Sequence, residues 1–471
     1  MAYGNRQLRR LYYSLPLTAK NLIASIYGWN QRRIRYGETY REHLAFLHES
    51  QYWPNERLFE YQQQRVGTFL RNVIPRTPYY RSHNRYLELA DEGAPLDEFP
   101  IVVKSQLRQQ ISDFYHDDSQ SMRCQWSQTS GTTGSSISFP VSGEHVQREN
   151  AFRALAYEWG GVTLDGRERL AFFAGHPVTY KGRHTPPFWI YDSANAWLYF
   201  SSYHLTRQNI RSYLRELERF NPIALAGYPS ALYLLALAFE KFGGSLNLRS
   251  IFVSSETLLD WQRARIEKAL GAKIFNYYGS AENCAHIAEC EQGELHLKLE
   301  HSAVSVLQST DAVCQPGETG RLVGTGFDNY AFPLIRYDIG DEITIAENQV
   351  AKCGRGGLLI ENIFGRVEDY IFTPDGRFVG RLDHLFKNSK NVLEAQLYQE
   401  KVDELVCRIV RSEKFSVDDE QEIIDEARAR LGPSIEIRLE YVDEIPRTNN
   451  GKFRFVVSTI NQSQMLDEFA G

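Results

Sequence analysis

Cysteine is scarce in this sequence. The six in 471 residues (Cys124, Cys284, Cys290, Cys314, Cys353 and Cys407) stand at no framework spacing, which excludes a disulfide-stapled scaffold and points to reduced thiols in a cytoplasmic protein. Net charge is equally slight: −6 over the whole chain excludes the global field that would favour nucleic acid or an acidic partner. Short-period repeats are absent. The N-terminal stretch "MAYGNRQLRRLYYSLPLTAKNLIASIYGW" places Arg6, Arg9 and Arg10 ahead of an apolar patch, as a leader would. Pro16, Lys20 and Asn21 interrupt that patch, so it is neither a signal h-region nor a membrane span. It reads instead as a docked amphipathic helix, with Leu22, Ile23, Ile26 and Tyr27 at helical spacing. A peripheral membrane contact through the N-terminus is the alternative.

What is present is ordinary globular material, 42% apolar and 24% charged, enough for more than one buried core at this length. "ETYREHLAFLHES" and "NERLFEYQQQRVGTFLRNVI" carry apolar residues three and four apart and predict two helices. From "RLAFFAG" onward, short apolar runs alternate with helical patterns through "IALAGYPSALYLLALAFEKFGG" and "LRSIFVSSETLLDWQRARIEKALGAKIFNYYGSAE". That alternation predicts right-handed crossovers and a mostly parallel sheet, with ligands gathered at the carboxyl ends of the strands. From about Leu295 the texture becomes β-rich. Beyond it, "AQLYQEKVDELVCRIVRS", "VDDEQEIIDEARARLG" and "SIEIRLEYVDEI" predict a small α+β unit, and the boundary falls near Gly365–Asp369. The expected fold is α/β. A large domain (1–365) has mixed or parallel sheets flanked by helices and a β-rich lobe, and a small mobile α+β domain (366–471) follows it.

One loop raises a chemical question. "QTSGTTGSSISFP" packs Gly, Ser and Thr together and then turns apolar. Glycine permits positive φ, and hydroxyls add to a row of backbone N–H donors, which makes an anion-binding concavity. Taken alone, it is equally a turn. No Gly-Lys-Ser/Thr follows, so it is not a Walker loop.

The order of motifs decides. "SQTSGTTGSS", "SSETL", "YYGSAE", "RYDIGD", "GRVED" and "IPRTNNGKFR" follow one another as the core motifs do in the adenylate-forming enzymes, the superfamily of acyl- and aryl-CoA ligases, peptide-synthetase adenylation domains and luciferases. The chain most resembles the phenylacetate–CoA ligase-like branch, particularly members associated with capsular polysaccharide biosynthesis. "TPYYRS", "FPIVVKSQLR" and the closing "GKFRFVVS" support the narrower match, and the resemblance spans nearly the whole chain.

The resemblance implies an ATP- and Mg²⁺-dependent ligase that first makes an acyl-AMP from a small-molecule carboxylic acid. Thr129, Ser130, Gly131, Thr132, Thr133 and Gly134 would cradle the β- and γ-phosphates, although Ser135 and Ser136 stand where the family often has Lys-Pro. Tyr278, followed by Gly279, would stack on adenine. Glu282 would hold Mg²⁺, and Asp341 would accept both ribose hydroxyls. Arg336 and Asp338 are expected in structural ion pairs. Arg366 would contact ribose or phosphate, Glu368 occupies the hinge position, and Lys452 would bridge the carboxylate and the α-phosphate. Phe173, His176, Tyr228 and Ser254 are the candidates for the acid pocket. Some members of the branch bind a structural zinc through Cys-x5-His and a later Cys-x-Cys. Cys290, His296 and Cys353 match three of those ligands, but Ala351 replaces the fourth, so a degenerate site is expected unless Cys284 or His286 completes it. The acceptor would be coenzyme A. The alternatives are an amine such as an amino sugar of a surface polysaccharide, and a relative that only binds nucleotide. "YIFTPDGRFVG" departs from the Gly-rich segment that lines the thiol tunnel in CoA ligases.

Overall fold

The computed structural model describes residues 11–128, 137–176, 178–179, 183–206, 208–364, 370–379, 382–386, 391–445 and 454–460. The chain opens with α1 (Leu17–Arg35), α2 (Glu38–Ser50) and α3 (Asn55–Val73). The last two fall where the apolar spacing put them, burying Tyr40 and Leu47 of α2 and Leu58, Phe69 and Val73 of α3. A hairpin of β1 (Cys124–Gln128) and β2 (Ser138–Ser142) leads into α4 (Gly143–Trp159), whose N-cap Ser142 accepts from the His145 amide.

The alternating region is built as the pattern predicts, with two strands, β4 and β5, added between the first strand and the helix that follows it. It runs β3 (Leu170–Ala174), β4 (Trp189–Asp192), β5 (Trp197–Ser201), α5 (Ile210–Phe220), β6 (Ala224–Gly227), α6 (Pro229–Phe242), β7 (Ser250–Ser254), α7 (Asp260–Leu270) and β8 (Ile274–Gly279). Helix α6 starts with proline at its first position and buries every residue from Pro229 to Phe239, as a helix apolar all round must. The β-rich lobe follows: β9 (His286–Glu289), β10 (Leu295–Leu297), β11 (Ser302–Leu307), β12 (Thr319–Gly326), β13 (Tyr337–Ile345) and β14 (Leu358–Phe364).

Twelve of these strands make one mixed sheet in the order β11-β12-β13-β14-β10-β9-β8-β7-β6-β3-β5-β4. Strands β5, β3, β6, β7 and β8 are parallel neighbours; β8 meets β9 antiparallel, and the antiparallel pairing continues through the lobe. Two large cores result. One lies between the lobe and the helices before it, around Phe69, Tyr80, Phe114 and Tyr337. The other lies between the parallel strands and α5, α6 and α7, around Phe173, Tyr213 and Leu235.

The C-terminal segment has its own core. A short pair, β15 (Ile371–Phe372) and β16 (Phe378–Val379), precedes a four-stranded sheet of β17 (Val392–Lys401), β18 (Glu404–Arg411), β19 (Glu436–Tyr441) and β20 (Val456–Ser458). Helix α8 (Val417–Leu431) buries Ile423, Ala427 and Leu431 in that core, and a capping box between Ser416 and Asp419 fixes its start. The single strand-like run read at 395–412 is thus a hairpin, because Asp403 and its neighbours turn the chain between β17 and β18.

One expectation is overturned at the N-terminus. Helix α1 docks, but through Lys20, Ala24 and Gly28; Leu22, Ile26 and Tyr27 face solvent. The docked side is narrow because a Cβ on Gly28 would lie 2.1 Å from the Asp192 carboxylate of β4. Asn21 and Ser25 complete the contact by accepting from the backbone amides of Tyr191 and Ser193.

Arg377 ties the C-terminal segment together. Its buried guanidinium pairs with Asp375 and donates to the carbonyls of Arg430 and Leu431 at the end of α8, and to the carbonyl of Tyr203 beyond β5. These are charge-assisted bonds to carbonyls at a helix C-terminus, where a cation is favoured. Arg377→Ala is expected to cost about 2–4 kcal/mol, read from the midpoint of urea unfolding. Arg377→Lys should recover less than half of the loss, since one ammonium cannot reach all three carbonyls. Wild-type midpoints in both variants would show that the guanidinium is dispensable.

Candidate active site at the parallel-to-antiparallel switch

The turn from β8 to β9 is where the sheet changes from parallel to antiparallel. Tyr278 and Gly279 end β8, and Glu282 lies on the turn itself. The Tyr278 hydroxyl donates to Asp341 Oδ2 at 2.7 Å, so β8 and β13 meet. The Tyr337 hydroxyl of β13 donates to Glu282 Oε1 at 3.1 Å. The structure therefore brings Tyr278, Gly279, Glu282 and Asp341 together, and adds Tyr337. Tyr337 was passed over because its apolar ring reads as core; the ring is indeed fully buried.

The turn is held closely. A Cβ on Gly324 would lie 2.2 Å from the Cys284 carbonyl oxygen, and one on Gly326 would lie 2.4 Å from that of Asn283. Only glycines on β12 let the turn lie this flat. Asn283 adopts a left-handed φ of 56°, and its amide Nδ2 lies 2.6 Å from His145 Nε2 of α4. One turn further along α4, Glu149 accepts from the Tyr277 hydroxyl at 3.1 Å and pairs with His301 Nε2 at 3.0 Å. Burial alone would raise the Glu149 carboxyl, but the bond from His301 and the neighbouring histidines outweigh it and hold the group well below the usual carboxylate range. Burial lowers His286, behind the turn, to about 3.

Asp338 is structural, as expected: Arg321 NH1 donates to it at 2.6 Å, and so does the Gly340 amide at 3.0 Å. Arg336, expected in an ion pair, instead donates to the backbone carbonyls of Asp97 and Phe99. Its burial beneath the 97–99 segment puts carbonyls rather than a carboxylate within reach.

The acid-pocket candidates divide. Tyr228 caps α6 and lines a small cavity with Ser202, Tyr203, Ser230 and Glu256, at the carboxyl ends of β5, β6 and β7; Arg377 closes one side. Glu256 accepts from the Ser230 amide at 3.0 Å, so it sits at the N-terminus of α6, where a carboxylate is favoured. His176 is half-buried, edge-on to Tyr199 at 4.8 Å, and burial lowers it to about 4. Ser254 lies 3.5 Å from the Ser255 hydroxyl. Phe173 is a correction: fully buried and stacked 4.7 Å from Phe200, it is a core residue rather than a cavity wall. Alternation along β3 places it on the same face as the α6 residues it packs with. Thr129 to Gly134, Arg366, Glu368 and Lys452 lie outside the described residues.

A second cluster stands apart. Cys290, Glu294, His296 and Cys353 each offer one ligand atom, and these atoms lie within 4.8 Å of one another. The β9–β10 turn, with Gly293 at a positive φ of 83°, supplies Cys290 and Glu294, and β10 supplies His296. Cys353 Sγ lies 3.4 Å from His296 Nε2, and Cys290 Sγ lies 4.0 Å from Glu294 Oε2. Neither Cys284 nor His286 joins the group. Glu294 does, a residue that the cysteine spacing could not flag.

Comparison with known proteins places this geometry. Residues 371–459 match the family model described as the CapK C-terminal domain. The chain is 26% identical to Protein CapK of Staphylococcus aureus over 96% of its own length and all of that protein's. It is 24% identical to phenylacetate-coenzyme A ligase of Thermus thermophilus, over 70% of this chain and 74% of the relative. Among solved structures, 2-hydroxyisobutyryl-CoA ligase in complex with 2-HIB-AMP and CoA shares the fold, with a TM-score of 0.54 at 21% identity, covering 88% of this chain and 91% of that one. Sequence and fold thus agree with the order of the motifs: the chain is a relative of CapK and resembles the phenylacetate–CoA ligase-like branch of the adenylate-forming enzymes.

Proposed function

We propose that this protein is an ATP-dependent carboxylic acid ligase that works through an acyl-AMP. The observation that carries the reading is the meeting of Tyr278, Asp341, Tyr337 and Glu282 at the β8–β9 switch, the place in an open α/β sheet where ligands collect. Asp341, oriented by Tyr278, binds the ribose hydroxyls of ATP, and the Tyr278 ring lies against adenine. Thr129 to Gly134 hold the β- and γ-phosphates. Glu282 would hold Mg²⁺, and a single carboxylate suits an ion that keeps most of its waters. When bound, that ion neutralises phosphate charge.

A carboxylate oxygen of the acid attacks the α-phosphorus, and the bond to the bridging oxygen breaks. Pyrophosphate leaves with the electron pair, and the acyl-AMP remains. Lys452 and Arg366 offset charge as it develops. An acceptor nucleophile then attacks the acyl carbonyl and loses its proton, and AMP departs. Tyr228 and His176, neutral at the burial it has, border the acid. The unit 366–471 is the small domain, and it turns about Glu368 between the two steps. We take the acceptor to be coenzyme A. An amine such as an amino sugar is the second reading, favoured by the departure of "YIFTPDGRFVG" from the Gly-rich segment that the resemblance implies for CoA ligases. The six unpaired thiols accord with a reducing cytoplasm.

Three tests bear on these assignments. ATP–pyrophosphate exchange should appear with Mg²⁺ and one member of a carboxylic acid panel, and Lys452→Ala should reduce it about a hundredfold or more, since one preorganised donor is worth roughly 3–4 kcal/mol. Given synthetic acyl-AMP, the same variant should still transfer the acyl group at a near wild-type rate. Absence of exchange across the panel, in a folded protein that binds ATP, would reduce the chain to a nucleotide-binding relative.

Asp341→Ala should weaken ATP binding in calorimetry by about 2–4 kcal/mol, as two charged hydrogen bonds are lost. Unchanged affinity would move the ribose site elsewhere.

The thiol–imidazole–carboxylate cluster we assign to zinc. A tetrahedral zinc with bonds of about 2.0–2.3 Å sets its ligand atoms roughly 3.4–3.8 Å apart, so the donors Cys290, Glu294, His296 and Cys353 need only a small contraction. Protein prepared with zinc should carry about one equivalent by elemental analysis, and chelation should lower its melting temperature. Glu294→Ala should retain markedly less metal. A metal-free protein with a melting temperature indifferent to zinc would leave the cluster a set of ordinary thiols.

A further inference from the structure

Helix α1 is inside out for a helix docked on a protein. Its buried face holds Ala24 and Gly28, while Leu22, Ile26 and Trp29, spaced four and three apart, are 62%, 60% and 56% exposed. Thr18 and Arg33 extend the same stripe at both ends, and Tyr27 flanks it. Arg33 lies over the Trp29 ring at 4.9 Å, holding a cation at the edge of the apolar patch.

The sequence that carries this stripe has charge of one sign; Arg33 stands on the exposed face, while Lys20 is buried on the docked side and Arg32 donates to the Asp165 carbonyl. Residues 1–37 contain seven Lys and Arg (Arg6, Arg9, Arg10, Lys20, Arg32, Arg33 and Arg35) and no Asp or Glu. Taking that +7 from the total of −6 leaves the rest of the chain at −13. No helix among the described residues is long and apolar enough to cross a bilayer.

We infer that α1 is a docking surface for an anionic lipid bilayer, lying in the plane of the headgroups with Leu22, Ile26 and Trp29 inserted. Large apolar and aromatic residues facing out, with the Arg33 cation at their edge, match an interfacial helix. Three apolar residues bind weakly alone, so attachment requires negative lipid as well. A second copy of the chain is a poorer occupant, since a two-fold contact through this face would bring Arg33 towards its own counterpart. The helix is anchored to the edge of the large sheet, through Asn21 to β4 and Ser25 to the β4–β5 connection, so binding would orient the whole molecule on the membrane.

The test is co-sedimentation of the full chain with sucrose-loaded vesicles, either pure phosphatidylcholine or phosphatidylcholine with a third phosphatidylglycerol. The expected result is at least tenfold more binding to the anionic vesicles, abolished by high salt. Leu22→Gln/Ile26→Gln/Trp29→Gln should lose at least tenfold and Arg33→Glu severalfold, with melting temperature and ATP affinity unchanged in both. Wild-type retention in the triple variant, or equal binding to neutral vesicles, overturns the proposal. So does a triple variant that turns a dimer into a monomer in light scattering while the wild type ignores vesicles, because the stripe would then be a contact between copies.

Discussion

The candidate site depends on the curl of one sheet. Strands β8 and β13 are separated by β9, β10 and β14, four steps that would set them about 19 Å apart in a flat sheet. Yet a tyrosine hydroxyl on one reaches a carboxylate on the other at 2.7 Å. The antiparallel lobe must therefore fold back over the end of the parallel strands. Two features permit this. The bulge between Arg321 and Val323 increases the local twist, and glycines 324 and 326 remove the side chains that would hold the turn off β12. Without that approach, Glu282 would lie on an ordinary loop and Asp341 on an ordinary strand.

Much of the fold was legible because periodicity reports burial. The helices at 38–50, 55–73 and 229–242, and strands β3, β6, β7 and β8, fall where apolar spacing put them. The strands β4 and β5 escaped notice because they are short and the turn between them at Asn195–Ala196, with Ala196 at positive φ, lacks the usual glycine. Face was the other blind spot. Alternation marks Phe173 as apolar but cannot distinguish a core from a pocket, and helical spacing grouped Leu22, Ile26 and Tyr27 without indicating the side on which the protein lies.

The site itself was legible in part, and for a different reason. Tyr278, Glu282 and Asp341 stood out by the order of their motifs rather than by any local pattern, and the structure gathers them. Tyr337 and Glu294 have no such signature. One lies in a strand that reads as core, and the other is a single glutamate in a polar turn. Both become visible only when distant strands are placed side by side.

Helix α4 completes the argument, since it backs the turn from the other side. It begins directly after β2, itself preceded in the sequence by the Ser/Thr/Gly stretch. Its first turn contacts Asn283 through His145, and its second contacts Tyr277 and His301 through Glu149. A buried carboxylate costs stability unless its bonds are complete, and two donors with favourable charge keep Glu149 ionised here. Because Tyr277 and Tyr278 are adjacent on β8, their rings emerge on opposite faces, one anchored to α4 and the other to Asp341. The end of β8 is thus clamped from both faces, which fixes the start of the turn that carries Glu282.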